Sequence, residues 1–61
     1  MKKNREGYII EFIPHGASVK VSAIDPITGK EVSIVGDAKA TQATLMDIAV
    51  KKLEYVLNKG K

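Results

Sequence analysis

The segment Asp25-Pro26-Ile27-Thr28-Gly29 constrains this chain more than any other. Asp bonds forward to the backbone, Pro presets φ at the first turn corner, and Gly accepts the positive φ that leads into a bulge. The residues before it, Ser18-Val-Lys-Val-Ser-Ala-Ile24, alternate apolar and polar for most of their length. The residues after it, Lys30-Glu-Val-Ser-Ile-Val35, form a second such run, closed by Gly36. Two alternating runs around turn chemistry predict a β-hairpin. Upstream, Tyr8-Ile-Ile-Glu-Phe-Ile13 is rich in β-branched and aromatic residues and stops at Pro14, which predicts a further strand. Pro14-His15-Gly16-Ala17 then supplies the connecting turn.

From about Thr41 the period becomes helical. Thr44 followed by Asp47 has capping-box spacing, and Thr41 or Asp37 offers a cap one turn earlier. Asn58, Lys59 and Gly60 mark the end, with cations where the helix dipole favours them. The fold class expected is α+β: a three-stranded antiparallel meander followed by one C-terminal helix packed on one sheet face. Residues 7–61 form that single domain, and residues 1–6 are expected to be a disordered basic start.

At ~100° per residue, Leu45, Val56, Ala49, Leu53, Met46, Leu57 and Val50 share an arc of about 140°. Ile48 and Tyr55 lie together on another flank, so the helix is apolar beyond the face that covers one sheet. On the strands, Tyr8, Ile10, Phe12, Val19, Val21, Ala23, Val32 and Ile34 alternate onto one side as a core. The other side carries Ile9, Glu11, Ile13, Lys20, Ser22, Ile24, Ser33 and Val35, half of them aliphatic. Contiguous apolar surface of this kind marks an interface.

Shortness adds weight to that surplus. The chain has 61 residues, no Cys and one His. Domains below ~70–80 residues need a staple such as a disulfide, a metal or a partner subunit. Without Cys there is no disulfide and no thiolate site, and one His with scattered carboxylates makes a poor metal site. Oligomerisation is the staple left. A hydrophobic fraction of 44% excludes a wholly disordered chain. No apolar run is long enough for a signal peptide or a membrane span, so a cytoplasmic location is expected.

The pattern Ser-Val-Lys-Val-Ser-Ala-Ile-Asp-Pro-x-Thr-Gly-x-Glu-Val-Ser-Ile-Val-Gly over residues 18–36, with the tail Lys52-Leu-Glu-Tyr-Val-Leu57, resembles a family of short, uncharacterised bacterial proteins. Its members are of about this length, so the resemblance covers nearly the whole chain. It implies a cytoplasmic bacterial domain of unknown function, and no substrate, cofactor or catalytic residue.

The residues themselves offer little chemistry. His15 is the one candidate general base by type, but such a base needs an orienting partner and a place for an electrophile. No spacing around Glu11 or Lys20 supplies them, and a solvated turn His is the simpler reading. Asp25 already has a turn role. Ser18, Ser22 and Ser33 lack a glycine elbow. Gly7, Gly16, Gly29, Gly36 and Gly60 are isolated, so no glycine loop cradles phosphate. No enzyme activity, cofactor or metal is expected.

The expected function is a small interaction module, homodimeric or bound to another protein, burying Ile9, Ile13, Ile24 and Val35 or the Ile48–Tyr55 flank. The alternative is weak, sequence-nonspecific nucleic-acid binding through Lys2, Lys3, Arg5, Lys51, Lys52 and Lys59. The formal net charge of +3 invites it. That charge splits unevenly, however. Lys2, Lys3 and Arg5 give the start +3, residues 6–50 sum to −3, and residues 51–61 return +3. The centre of the chain is acidic.

Overall fold

The computed structural model describes residues 2–3 by their backbone and residues 7–59 in full. Among the described residues, four strands form one antiparallel sheet in the order β1 (Lys2–Lys3), β2 (Ile9–His15), β3 (Ser18–Ile24), β4 (Glu31–Asp37). One helix, α1 (Gln42–Lys59), follows and packs on β3 and β4. The expected meander and C-terminal helix are both present. The addition is β1, which pairs Lys2 with Ile10 and Lys3 with Ile9. The basic start expected over residues 1–6 otherwise lies outside the described residues.

β2 and β4 each begin one residue later than expected, at Ile9 and Glu31, and three further boundaries move for a backbone reason. First, β2 runs through Pro14 to His15 instead of stopping at Ile13. In the β2–β3 register, Ile9, Glu11, Ile13 and His15 oppose Ile24, Ser22, Lys20 and Ser18. A two-residue hairpin closes on a hydrogen-bonded pair, here His15 and Ser18, so Pro14 turns its nitrogen to the outer edge. No ladder bond is lost there, which is where a strand tolerates proline. Second, the turn shrinks to Gly16 and Ala17. Gly16 has φ +63° and Ala17 does not have positive φ, the pattern of a type II′ turn. Third, β4 runs past Gly36 to Asp37, and the ladder continues through a bond from the Ala38 N–H to the Ala17 carbonyl at 3.0 Å.

The Asp25 turn behaves as its residues require. The Asp25 carboxylate accepts the Ile27 N–H and the Thr28 hydroxyl, each at 3.0 Å. The Gly29 N–H donates to the Asp25 carbonyl at 2.8 Å with φ +77°. Of the three possible helix caps, the structure uses Thr41: its Oγ1 accepts the Thr44 N–H at 3.1 Å. Asp37 caps the preceding bend, accepting the Lys39 N–H at 2.8 Å.

The core is built from the predicted residues. Ile10, Val19, Val21 and Ala23 of the sheet meet Leu45, Ala49, Val50 and Leu53 of the helix. Tyr8, Phe12, Val32, Ile34, Met46 and Leu57 close its margins. Gly36 lies on this same face, opposite Val19. A Cβ there would run into the Leu45 side chain, so the missing side chain is what lets the start of α1 come down on β4.

Candidate interaction surfaces

With the helix on one side, the register arranges the other side in rows. Ile9, Ile24 and Glu31 form one; Glu11, Ser22 and Ser33 the next; Ile13, Lys20 and Val35 the third; His15, Ser18 and Asp37 the last. This is the predicted aliphatic face. Ile13 is 42% exposed and Val35 73%, on either side of Lys20. Ile9 and Ile24 are cross-strand partners and half-buried. Ser22, at the centre, is only 1% exposed although no helix covers it. Its cross-strand neighbours Glu11 and Ser33, with Lys20 and Ile24 along its own strand, shield it. The face is covered by side chains, with the aliphatics in two groups, Ile9 with Ile24 and Ile13 with Val35, separated by the polar row Glu11, Ser22 and Ser33.

The predicted flank is separate from that face. Ile48 is 47% exposed and Tyr55 65%. Lys52 lies between them along the helix and shows where the flank points, because its Nζ donates to the Ser33 carbonyl of β4 at 3.0 Å. Opposite, Glu54 turns towards β2, with the Tyr8 hydroxyl 3.5 Å from its Oε2. Ile48 and Tyr55 therefore stand beside the outer edge of β4.

The backbone of that edge follows from the ladder. The Asp25 N–H to Lys30 carbonyl bond, 2.8 Å, and the Ala38 N–H to Ala17 carbonyl bond lie in the β3–β4 register. Antiparallel pairs alternate between bonded and non-bonded. Val32, Ile34 and Gly36 consequently bond β3, while Glu31, Ser33 and Val35 turn N–H and C=O outward; Asp37 turns its N–H outward, and its carbonyl accepts the Ala40 N–H at 2.9 Å. The Lys52 bond to the Ser33 carbonyl is made on that outward side.

The basic residues of the nucleic-acid alternative divide. Arg5 and the side chains of Lys2 and Lys3 lie outside the described residues. Lys51, Lys52 and Lys59 are on the helix, and each has a local partner. Lys51 pairs with Asp47 at 3.1 Å, Lys52 bonds Ser33, and Lys59 Nζ stands 5.9 Å from the Tyr55 ring centroid. Both members of the Lys51–Asp47 pair are largely exposed, which makes it worth little.

His15 ends β2, exposed, in the row with Ser18 and Asp37. Among the described residues no three His, Asp or Glu side chains gather as a metal site. An open hollow of about 230 Å³ lies between Phe12, Pro14, Val19, Ala40 and Leu45 at the start of α1. It is smaller than the ~300–1,000 Å³ of ligand pockets and its lining holds no titratable side chain. Among the described residues no helix is long and apolar enough to cross a membrane. Sequence reasoning missed one exposed aliphatic, Ile27 at the tip of the β3–β4 turn. Its position between Pro26 and Thr28 was the available signal.

A family model described as a domain of unknown function (DUF6898) matches residues 5–60. No curated protein and no solved structure matches the chain.

Proposed function

The chain belongs to that family, a domain of unknown function, and we propose that it is a small interaction module that forms a homodimer through the open face of its sheet. The observation that carries this reading is the set of four aliphatics, Ile9, Ile13, Ile24 and Val35, on the side opposite the helix. The register is compatible with a two-fold axis. An axis running along the strands between β2 and β3 sets Ile9 of one copy over Ile24 of the second copy. The same axis places Glu11 diagonally across from Lys20 of the second copy, twice over. An isologous interface needs such self-complementarity.

Size sets the strength. Three strands of seven residues make a plate of about 23 by 14 Å. That is well short of the ~800 Å² per partner of a standard interface. The dimer is therefore reversible and depends on concentration. Light scattering across a dilution series, from millimolar to low micromolar, tests it. The expected result is a mass that falls from dimer to monomer, and Ile13→Lys, which the axis sets over Lys20 of the second copy, shifting the series to monomer with an unchanged circular dichroism spectrum. A strict monomer at millimolar concentration overturns the reading.

A further inference from the structure

We propose that the outer edge of β4 is a strand-addition site for an extended peptide segment of a partner protein. The segment's side chains facing α1 are acidic and apolar, and Lys52 is the latch that covers the edge in the free protein. The inference does not rest on the homodimer, which uses the other side of the sheet.

Four observations meet at this edge. The backbone groups of Glu31, Ser33 and Val35 point outward, together with the Asp37 N–H, enough for a short strand to pair, while the Asp37 carbonyl is taken by the Ala40 N–H at 2.9 Å. Lys52 already occupies one of them, holding the Ser33 carbonyl at 3.0 Å. A lysine across an edge is a common way to keep it from unwanted pairing. This one is a flexible surface side chain and leaves when its ammonium finds a better acceptor, such as a carboxylate. Beside it stand Ile48 and Tyr55, both about half exposed or more, and Lys59, whose Nζ lies 5.9 Å from the Tyr55 ring centroid.

An added strand turns alternate side chains towards α1 and towards the open face. Those towards α1 meet Ile48, Lys52, Tyr55 and Lys59, which suits apolar and acidic groups. A second copy of β4 fits poorly. Full antiparallel overlap of two such strands sets Glu31 of one copy opposite Asp37 of the other, twice. Like charges directly opposite are destabilising. It would also bring Val32 and Ile34, not acids, to the lysines.

The test uses the full chain, isotope-labelled, and the blocked heptapeptide Thr-Glu-Thr-Leu-Thr-Glu-Thr. Amide shifts and exchange rates are followed during titration. The expected result is slowed exchange at the Ser33 and Val35 amides, with affinity that weakens as salt is added. A peptide with Lys for both Glu binds about fivefold or more weakly. Lys52→Ala narrows that preference, and Tyr55→Ala weakens both peptides. Three results overturn the proposal. One is no change at the Ser33 and Val35 amides at millimolar peptide. Another is equal binding of the acidic and basic peptides. The third is protection of those amides that grows with protein concentration alone, which assigns the edge to a second copy. Ile13→Lys, which breaks the proposed dimer by facing Lys20 of the second copy, is expected to leave peptide binding intact.

Discussion

Gly36 shows how one residue's absence of side chain sets a packing distance. Its φ is not positive, so conformation does not demand glycine there. Leu45 does, because the helix side chain fills the space a Cβ would take. Two effects of Gly36→Ala oppose each other. Restricting the unfolded chain favours the variant by ~0.4–1 kcal/mol, while overpacking costs ~1–3 kcal/mol. The clash involves a core leucine with 4% exposure, so overpacking wins. A urea titration is expected to show a net loss of about 1–2 kcal/mol. An unchanged or raised midpoint would show that Leu45 moves aside freely. Asp25 is the complementary case, a residue whose role was readable from its neighbours. Its carboxylate bonds within its own turn, so the local sequence contained every partner.

Among the elements, the helix start is where the sequence left several answers. Asp37, Thr41 and Thr44 all had capping chemistry, and local pattern does not rank them. Packing does: Leu45 must reach the core beside Gly36, which places the first turn directly after Thr41. Thr41→Ala is expected to cost about 1 kcal/mol, measured by thermal or urea unfolding. Thr41→Ser retains the stability. Asp47→Ala distinguishes the alternatives, since a capping box on Thr44 would require Asp47 and the observed cap does not. A loss from Asp47→Ala equal to that from Thr41→Ala would contradict the assignment. The β2 strand teaches the same lesson in reverse. Proline ended it by local rules, yet the chain continued, because an edge position asks no N–H of residue 14.

For the whole molecule, stability is narrow. A core in a chain of this length supplies ~3–5 kcal/mol, and replacing a buried leucine by alanine removes ~2–5 kcal/mol. Leu53, fully buried between helix and sheet, is the sensitive point. Leu53→Ala is expected to abolish cooperative unfolding at low concentration, followed by circular dichroism on heating. Partial recovery at high concentration would be the mass-action signature of the dimer. The sequence by itself determined the strand and helix order, the core face of each element and the Asp25 turn. Periodicity and turn chemistry act between residues a few positions apart, so they are written locally. Only the tertiary structure decided that Thr41 caps the helix, that Gly36 makes room for Leu45, and that α1 sits over β3 and β4. The same offset carries Lys52 to the Ser33 carbonyl and leaves Ile48 and Tyr55 beside a strand edge. Those outcomes depend on which side of the sheet edge the helix comes down, a contact between residues 19 positions apart, and no local pattern encodes it.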